Sequence, residues 1–205
     1  MNRALYLAAA AAAALSLAAC NQQQKDAAAD ANPGQSQPVN AAQDAVGAMV
    51  GQTSAATLGA NTLGGYVTNA AVGDMYEIQA GKLAATKAQS PEVKALAKMI
   101  VTDHTAASNE LEPLAVAAGQ TTPTELDQRR KGMIDNLNAA NGADFDKAYL
   151  TQQVAAHEEA VTLHSGYADN GDNAALKAHA AKVLPKIQAH LDRARTLANQ
   201  AGAAN

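Results

Sequence analysis

Between residues 66 and 200, apolar side chains return every three or four positions in five successive stretches, each bounded by a helix start or stop signal. That period is helical. Strands would need alternation built from β-branched and aromatic residues, but the chain is 3% aromatic, with no Trp and one Phe, and it is very rich in Ala. An all-β or dinucleotide-fold architecture is excluded. The 15 Lys and Arg are spread along the chain and the net charge is −4, so no basic stripe is available and nucleic acid is not an expected partner.

The first helix is expected over 67–89. Ser90 and Pro91 suit the N-cap and first position of a second helix over 91–118, which Gly119 is placed to end. Thr122-Pro123-Thr124-Glu125 has capping-box spacing and opens a shorter helix that stops near Asn141-Gly142. A fourth, 143–169, is broken by Asn170-Gly171-Asp172, and a fifth runs over 173–200 with Pro185 inside it, where a kink is expected. Four of these are long, roughly 23 to 29 residues or about 35 to 43 Å. The short one lies in the middle. That order fits an all-α, ferritin-like four-helix bundle with a short extra helix in the middle crossover.

The N-terminal segment reads as an export signal. Arg3 precedes a continuous apolar run too short for a comfortable membrane span, and Leu17-Ala18-Ala19-Cys20 resembles the bacterial lipobox, with cleavage before Cys20 and lipid on its sulfur and new amino group. Residues 1–19 are therefore expected to be a lipoprotein signal peptide, and the membrane is an expected partner through acyl chains such as palmitate on Cys20. Asn21, where Asp would resemble the inner-membrane retention rule, points to the periplasmic face of the outer membrane. Residues 20–65, rich in Gln, Ala, Gly, Ser and Pro, read as a tether, with a weak helical pattern over 39–58 interrupted by Gly47 and Gly51. The bundle domain is then 66–200. Cys20 is the single cysteine, so no disulfide or thiolate site is expected within that domain.

His104, His157 and His190 fall on the apolar stripes of three long helices, and Glu77 falls on a small-residue face of the first, with Gly73, Ala80, Gly81, Ala84 and Ala88. All four lie near mid-helix, so antiparallel packing brings them to similar heights. One carboxylate and three imidazoles suit a divalent transition metal such as Fe, Mn or Zn, with Asp103 as a carboxylate behind the ligands. The competing reading is a buried hydrogen-bond network of the same residues. His164 and His179 read as boundary residues. Glu158, Glu159 and the run Arg129-Arg130-Lys131 read as solvated faces.

Several separated segments resemble the bacterial family called domain of unknown function 4142: Asp74-Met75-Tyr76-Glu77-Ile78, Gly81-Lys82-Leu83-Ala84, Val93-Lys94-Ala95-Leu96-Ala97, Met99 to Thr105, Phe145 to Leu150, His157, and Leu184 to Leu191. The resemblance covers about 66–197 and implies a ferritin-like fold, export and no established activity. Di-iron bundles carry Glu-x-x-His on two helices, but Val101, Val154 and Ile187 stand three residues before His104, His157 and His190. No catalytic residue emerges. The expected function is an exported, lipid-anchored, non-enzymatic envelope or stress-related binding module, with a metal-binding bundle as the alternative and a di-metal oxidase third.

Overall fold

The computed structural model describes residues 61–203, so the segment read as an export signal, Cys20 and the weak pattern over 39–58 lie outside the described residues. Five helices are present and no strand occurs among the described residues: α1 Leu63–Lys87, α2 Pro91–Ala117, α3 Gln128–Ala139, α4 Gly142–Asn170 and α5 Ala174–Ala203. None of them is long and apolar enough to cross a membrane.

Local chemistry sets most of the ends. The Ser90 hydroxyl accepts from the N–H groups of Glu92 and Val93 and donates to the Glu92 carboxylate, with Pro91 opening α2 as expected. At the other end of α2, Gly119 adopts φ 74°, while the Gln120 N–H returns to the Ala115 carbonyl at 2.9 Å and that of Gly119 to Val116 at 3.0 Å. That is a Schellman stop, and it needs a residue tolerant of positive φ. Two ends differ from expectation. Thr62 caps α1, so the helix expected from residue 67 begins at Leu63 and takes Gly64 and Gly65 into its first turn. Thr122 and Glu125 do not open α3. Leu126 turns into the core, and Asp127 takes the cap because its carboxylate accepts from both the Arg130 N–H and the Arg130 guanidinium. Pro113 lies within α2, as Pro185 does within α5.

The long helices form a ring in which α1 packs on α2 and α4, and α5 packs on the other sides of α2 and α4. Asp74 with His104 sets α1 antiparallel to α2, and Tyr66 with His164 and Tyr76 with Gln152 set α1 antiparallel to α4. Consequently α2 and α4 run parallel, and the chain between them must travel the length of the bundle. Residues 118–141 do this, with α3 laid over α1 and α4. Gly81 marks a close helix approach: a methyl there would meet Val101 Cγ2 at 2.5 Å and the Ala97 carbonyl at 3.1 Å.

Two apolar layers result. One gathers Tyr76, Leu96, Ile100, Phe145, Tyr149 and Leu150, and the other Tyr66, Val67, Leu111, Leu163, Tyr167 and Leu176. Between them lies a polar layer.

Candidate metal centre

His104 comes from α2, His157 from α4 and His190 from α5, and each is at most 4% exposed. One ring nitrogen from each lies within 4.8 Å of the others, and the ring centroids are 5.3 to 5.6 Å apart. The stripes of α2 and α5 place their two histidines as the sequence period predicts. On α4 the buried face is shifted: Val154 and Val161 are only half-buried, whereas Gln152 and Gln153 are fully enclosed.

The outer nitrogens are committed to acceptors. His104 Nδ1 lies 2.7 Å from Asp74 Oδ1, His157 Nδ1 3.0 Å from the Gln153 carbonyl, and His190 Nε2 3.0 Å from Asp103 Oδ2. Neither a carboxylate nor a carbonyl can donate, so in each neutral imidazole the outer nitrogen carries the hydrogen and the inner one keeps a lone pair. His104 Nε2 is buried without any hydrogen-bond partner. His157 Nε2 and His190 Nδ1 face each other at 3.3 Å. With all three rings neutral, three lone pairs thus meet in a buried layer with no hydrogen among them.

The surroundings tune charge in opposite directions. Burial opposes charge on His104, but its hydrogen bond to Asp74 and the carboxylates of Asp74, Glu77 and Asp103 lift it above the ordinary imidazole value. Burial, reinforced by the neighbouring His104 and His190, holds His157 well below that value. Burial and His104 bring His190 down to about 4 against the opposing pull of Asp103. Burial pushes Glu77 up to about 7, partly offset by His104 and Gln153. Partial burial works against charge on Asp103, yet hydrogen bonds to Lys186 and His190 keep its carboxyl below the usual range.

The structure brings together three of the four expected ligands. Glu77 Oε1 lies 3.6 Å from His157 Nδ1, on the outer side of that ring, and Glu77 Oε2 is buried without a partner. It borders a cavity of about 30 Å³, lined also by Asp74, His104, Arg130, Glu159 and His164. Asp103, next to His104 in the chain, stands instead behind His190, with Lys186 on its other oxygen.

Two residues read as solvated and two read as boundary positions are in fact buried. Arg130 is 8% exposed and Glu159 6% exposed. Glu159 accepts from Arg129 at 2.6 Å and from Arg130 at 2.8 Å, which clamps α3 onto α4 and roofs the cavity. His164 and His179 are also buried, His164 against the Tyr66 hydroxyl at 3.1 Å. Sequence reasoning missed Asp74 as the partner of His104. The signal was its spacing: Asp74 lies three residues before Glu77, on the same face of α1.

Fold and site together define a four-helix bundle with a layer of converging imidazoles at mid-height. The chain belongs to the family described as Domain of unknown function (DUF4142), whose model matches residues 47–197. No curated protein matches it. Among solved structures it is similar to CopM in the Cu(II)-bound form, with TM-score 0.59 and 19% identity over 68% of this chain and 97% of that chain. It is likewise similar to CopM in the Ag-bound form, with TM-score 0.57 and 19% identity over 68% of this chain and 96% of that one. At that identity the likeness is one of fold.

Proposed function

We propose that this chain is an exported, lipid-anchored bundle that binds a copper ion through His104, His157 and His190. The observation that carries the reading is the meeting of three imidazole lone pairs, each ring fixed from behind by Asp74, Asp103 or the Gln153 carbonyl. Backing of that kind orients an imidazole and raises its basicity as a ligand. Nitrogens bound to one ion at about 2.0 to 2.1 Å stand roughly 3.3 to 3.6 Å apart, so the layer needs only a small contraction to close on a metal. An all-imidazole set suits copper, zinc, iron or nickel, and among divalent ions copper binds such donors most tightly. The copper- and silver-bound relatives of the same fold support copper over the Fe, Mn or Zn suggested by a mixed Glu-His set. Glu77 stays outside the group of three, with its nearer oxygen 3.6 Å from His157 Nδ1, which is already bonded to the Gln153 carbonyl. The reading is of binding and delivery at the periplasmic face of the outer membrane, with Cys20 as the anchor.

The test is equilibrium dialysis of the metal-free chain against Cu(I), Cu(II), Ag(I), Zn(II), Fe(II) and Mn(II), followed by thermal melts with and without chelator. Copper is expected to bind and raise the melting temperature, and His157→Leu is expected to erase both effects. A buried hydrogen-bond network alone would give loaded and chelated protein the same melting temperature, which would sink the metal reading. For the anchor, Cys20→Ala is expected to abolish palmitate incorporation and release the protein from membranes; unchanged labelling would refute it.

A further inference from the structure

The seam between α2 and α5 carries one arrangement twice. Asp103 gives one oxygen to Lys186 and the other to His190. Two turns along α2, Glu110 gives Oε2 to Lys182 at 2.6 Å and turns Oε1 toward His179. The first carboxylate closes on its imidazole at 3.0 Å, but the second stops at 3.7 Å from His179 Nδ1, beyond a hydrogen bond. His179 is 2% exposed, and neither of its ring nitrogens has a hydrogen-bond partner. Native proteins rarely leave both polar atoms of a buried imidazole unpaired, because desolvation is then uncompensated.

A nitrogen and an oxygen that share one cation at about 2.0 to 2.2 Å each stand roughly 2.8 to 3.1 Å apart in a square arrangement and roughly 3.3 to 3.6 Å apart in a tetrahedral one. The observed 3.7 Å is slightly longer than either, and the partly exposed Glu110 carboxylate can move inward to close it. We propose that His179 Nδ1 and Glu110 Oε1 form a second cation site, taking a divalent first-row ion of the same class as the central layer. The donor pair is one nitrogen and one carboxylate oxygen, for which Cu(II) ranks highest. Glu110 is 36% exposed, so water reaches the ion from the outer side to complete its shell. Lys182, two-thirds exposed, competes for the same carboxylate and can swing into solvent when the ion arrives. His179 and His190 are eleven residues apart on α5, roughly 16 Å, so one ion cannot serve both. The inference extends the copper reading to a second equivalent but uses different residues.

All five histidines of the chain are buried, so no surface imidazole competes for added copper. The experiment titrates Cu(II) into the full chain carrying Cys20→Ala, with equivalents counted by dialysis and distinguished by electron paramagnetic resonance. Two equivalents are expected. His179→Leu, which fills the buried position with an apolar group and keeps the fold, should leave only the three-nitrogen signal. Glu110→Gln should weaken the second equivalent at least about tenfold, and Lys182→Met should tighten it, an outcome that loss of a merely structural ion pair would not give. A second equivalent that survives both His179→Leu and Glu110→Gln, or one weakened by Lys182→Met, overturns the proposal. A single equivalent lost only in His157→Leu overturns this site and leaves the central one standing. A single equivalent lost only in His179→Leu does the reverse, and no bound copper at all removes both.

Discussion

At one end of the bundle Phe145, Leu96, Leu137 and Leu150 are fully or almost fully enclosed in one apolar cluster, while at mid-height His104, His157 and His190 are enclosed as completely but turn their inner nitrogens toward one another. Burial is alike in the two layers and its consequence is opposite. Apolar groups gain about 25 cal/mol for each Å² removed from water, whereas a buried polar atom without a partner costs roughly 1 to 3 kcal/mol. The end layer therefore holds the fold. The middle layer carries that cost for as long as its inner nitrogens lack a partner.

The sharpest way to probe the contrast is to cut each layer in turn. Phe145→Ala should cost about 3 to 5 kcal/mol by urea unfolding whether or not copper is present, because it removes a fully buried ring from the end layer. Copper at a hundredfold excess over its Kd should stabilise wild type by about 2.7 kcal/mol, and His157→Leu should lose that increment while the metal-free variant unfolds no earlier than wild type. A metal-free His157→Leu as unstable as Phe145→Ala would erase the distinction between layers.

Next in size is a pH effect that belongs to His164, which is no ligand. Burial, with His179 and His104 nearby, lowers its folded value to about 3, against an ordinary 6.5. The unfolded chain thus takes up a proton as pH falls below about 6.5 and the native state does not, so stability is full above that point and declines toward pH 3. The decline is about 1.4 kcal/mol per pH unit for one such group. Urea melts between pH 7.5 and 4.5 should show His164→Gln declining less steeply than wild type by that amount; equal slopes would mean that His164 is not held neutral. The smallest expected effect is at Lys186→Met. Its ion pair with Asp103 is half-exposed, so the change should stay within ~1 kcal/mol.

How far these layers were legible in the sequence follows from what each contact depends on. The helices were readable because period and punctuation are local: Ser90-Pro91 and Gly119 act on their own neighbours. His104 and His190 were readable for the same reason, since each interrupts an apolar stripe. Contacts between helices were not. Asp74 meets His104 only because α1 and α2 approach closely at Gly81, and Glu159 is drawn inward only because Arg130 on α3 crosses above it. A charged residue next to another charged residue reads as surface until the opposite charge across the groove is known. Glu77 was placed at the right height, but its side of the His157 ring depends on helix rotation, which spacing alone does not fix.

The central claim is that the three inner nitrogens hold one copper ion. Anomalous diffraction at the copper edge, from crystals of the protein grown with one equivalent of copper, tests it most directly. A peak bonded to His104 Nε2, His157 Nε2 and His190 Nδ1 is expected, with Asp74, Asp103 and the Gln153 carbonyl still on the outer nitrogens. A fully copper-loaded protein with no peak in that layer, or with its copper only at the surface, would contradict it.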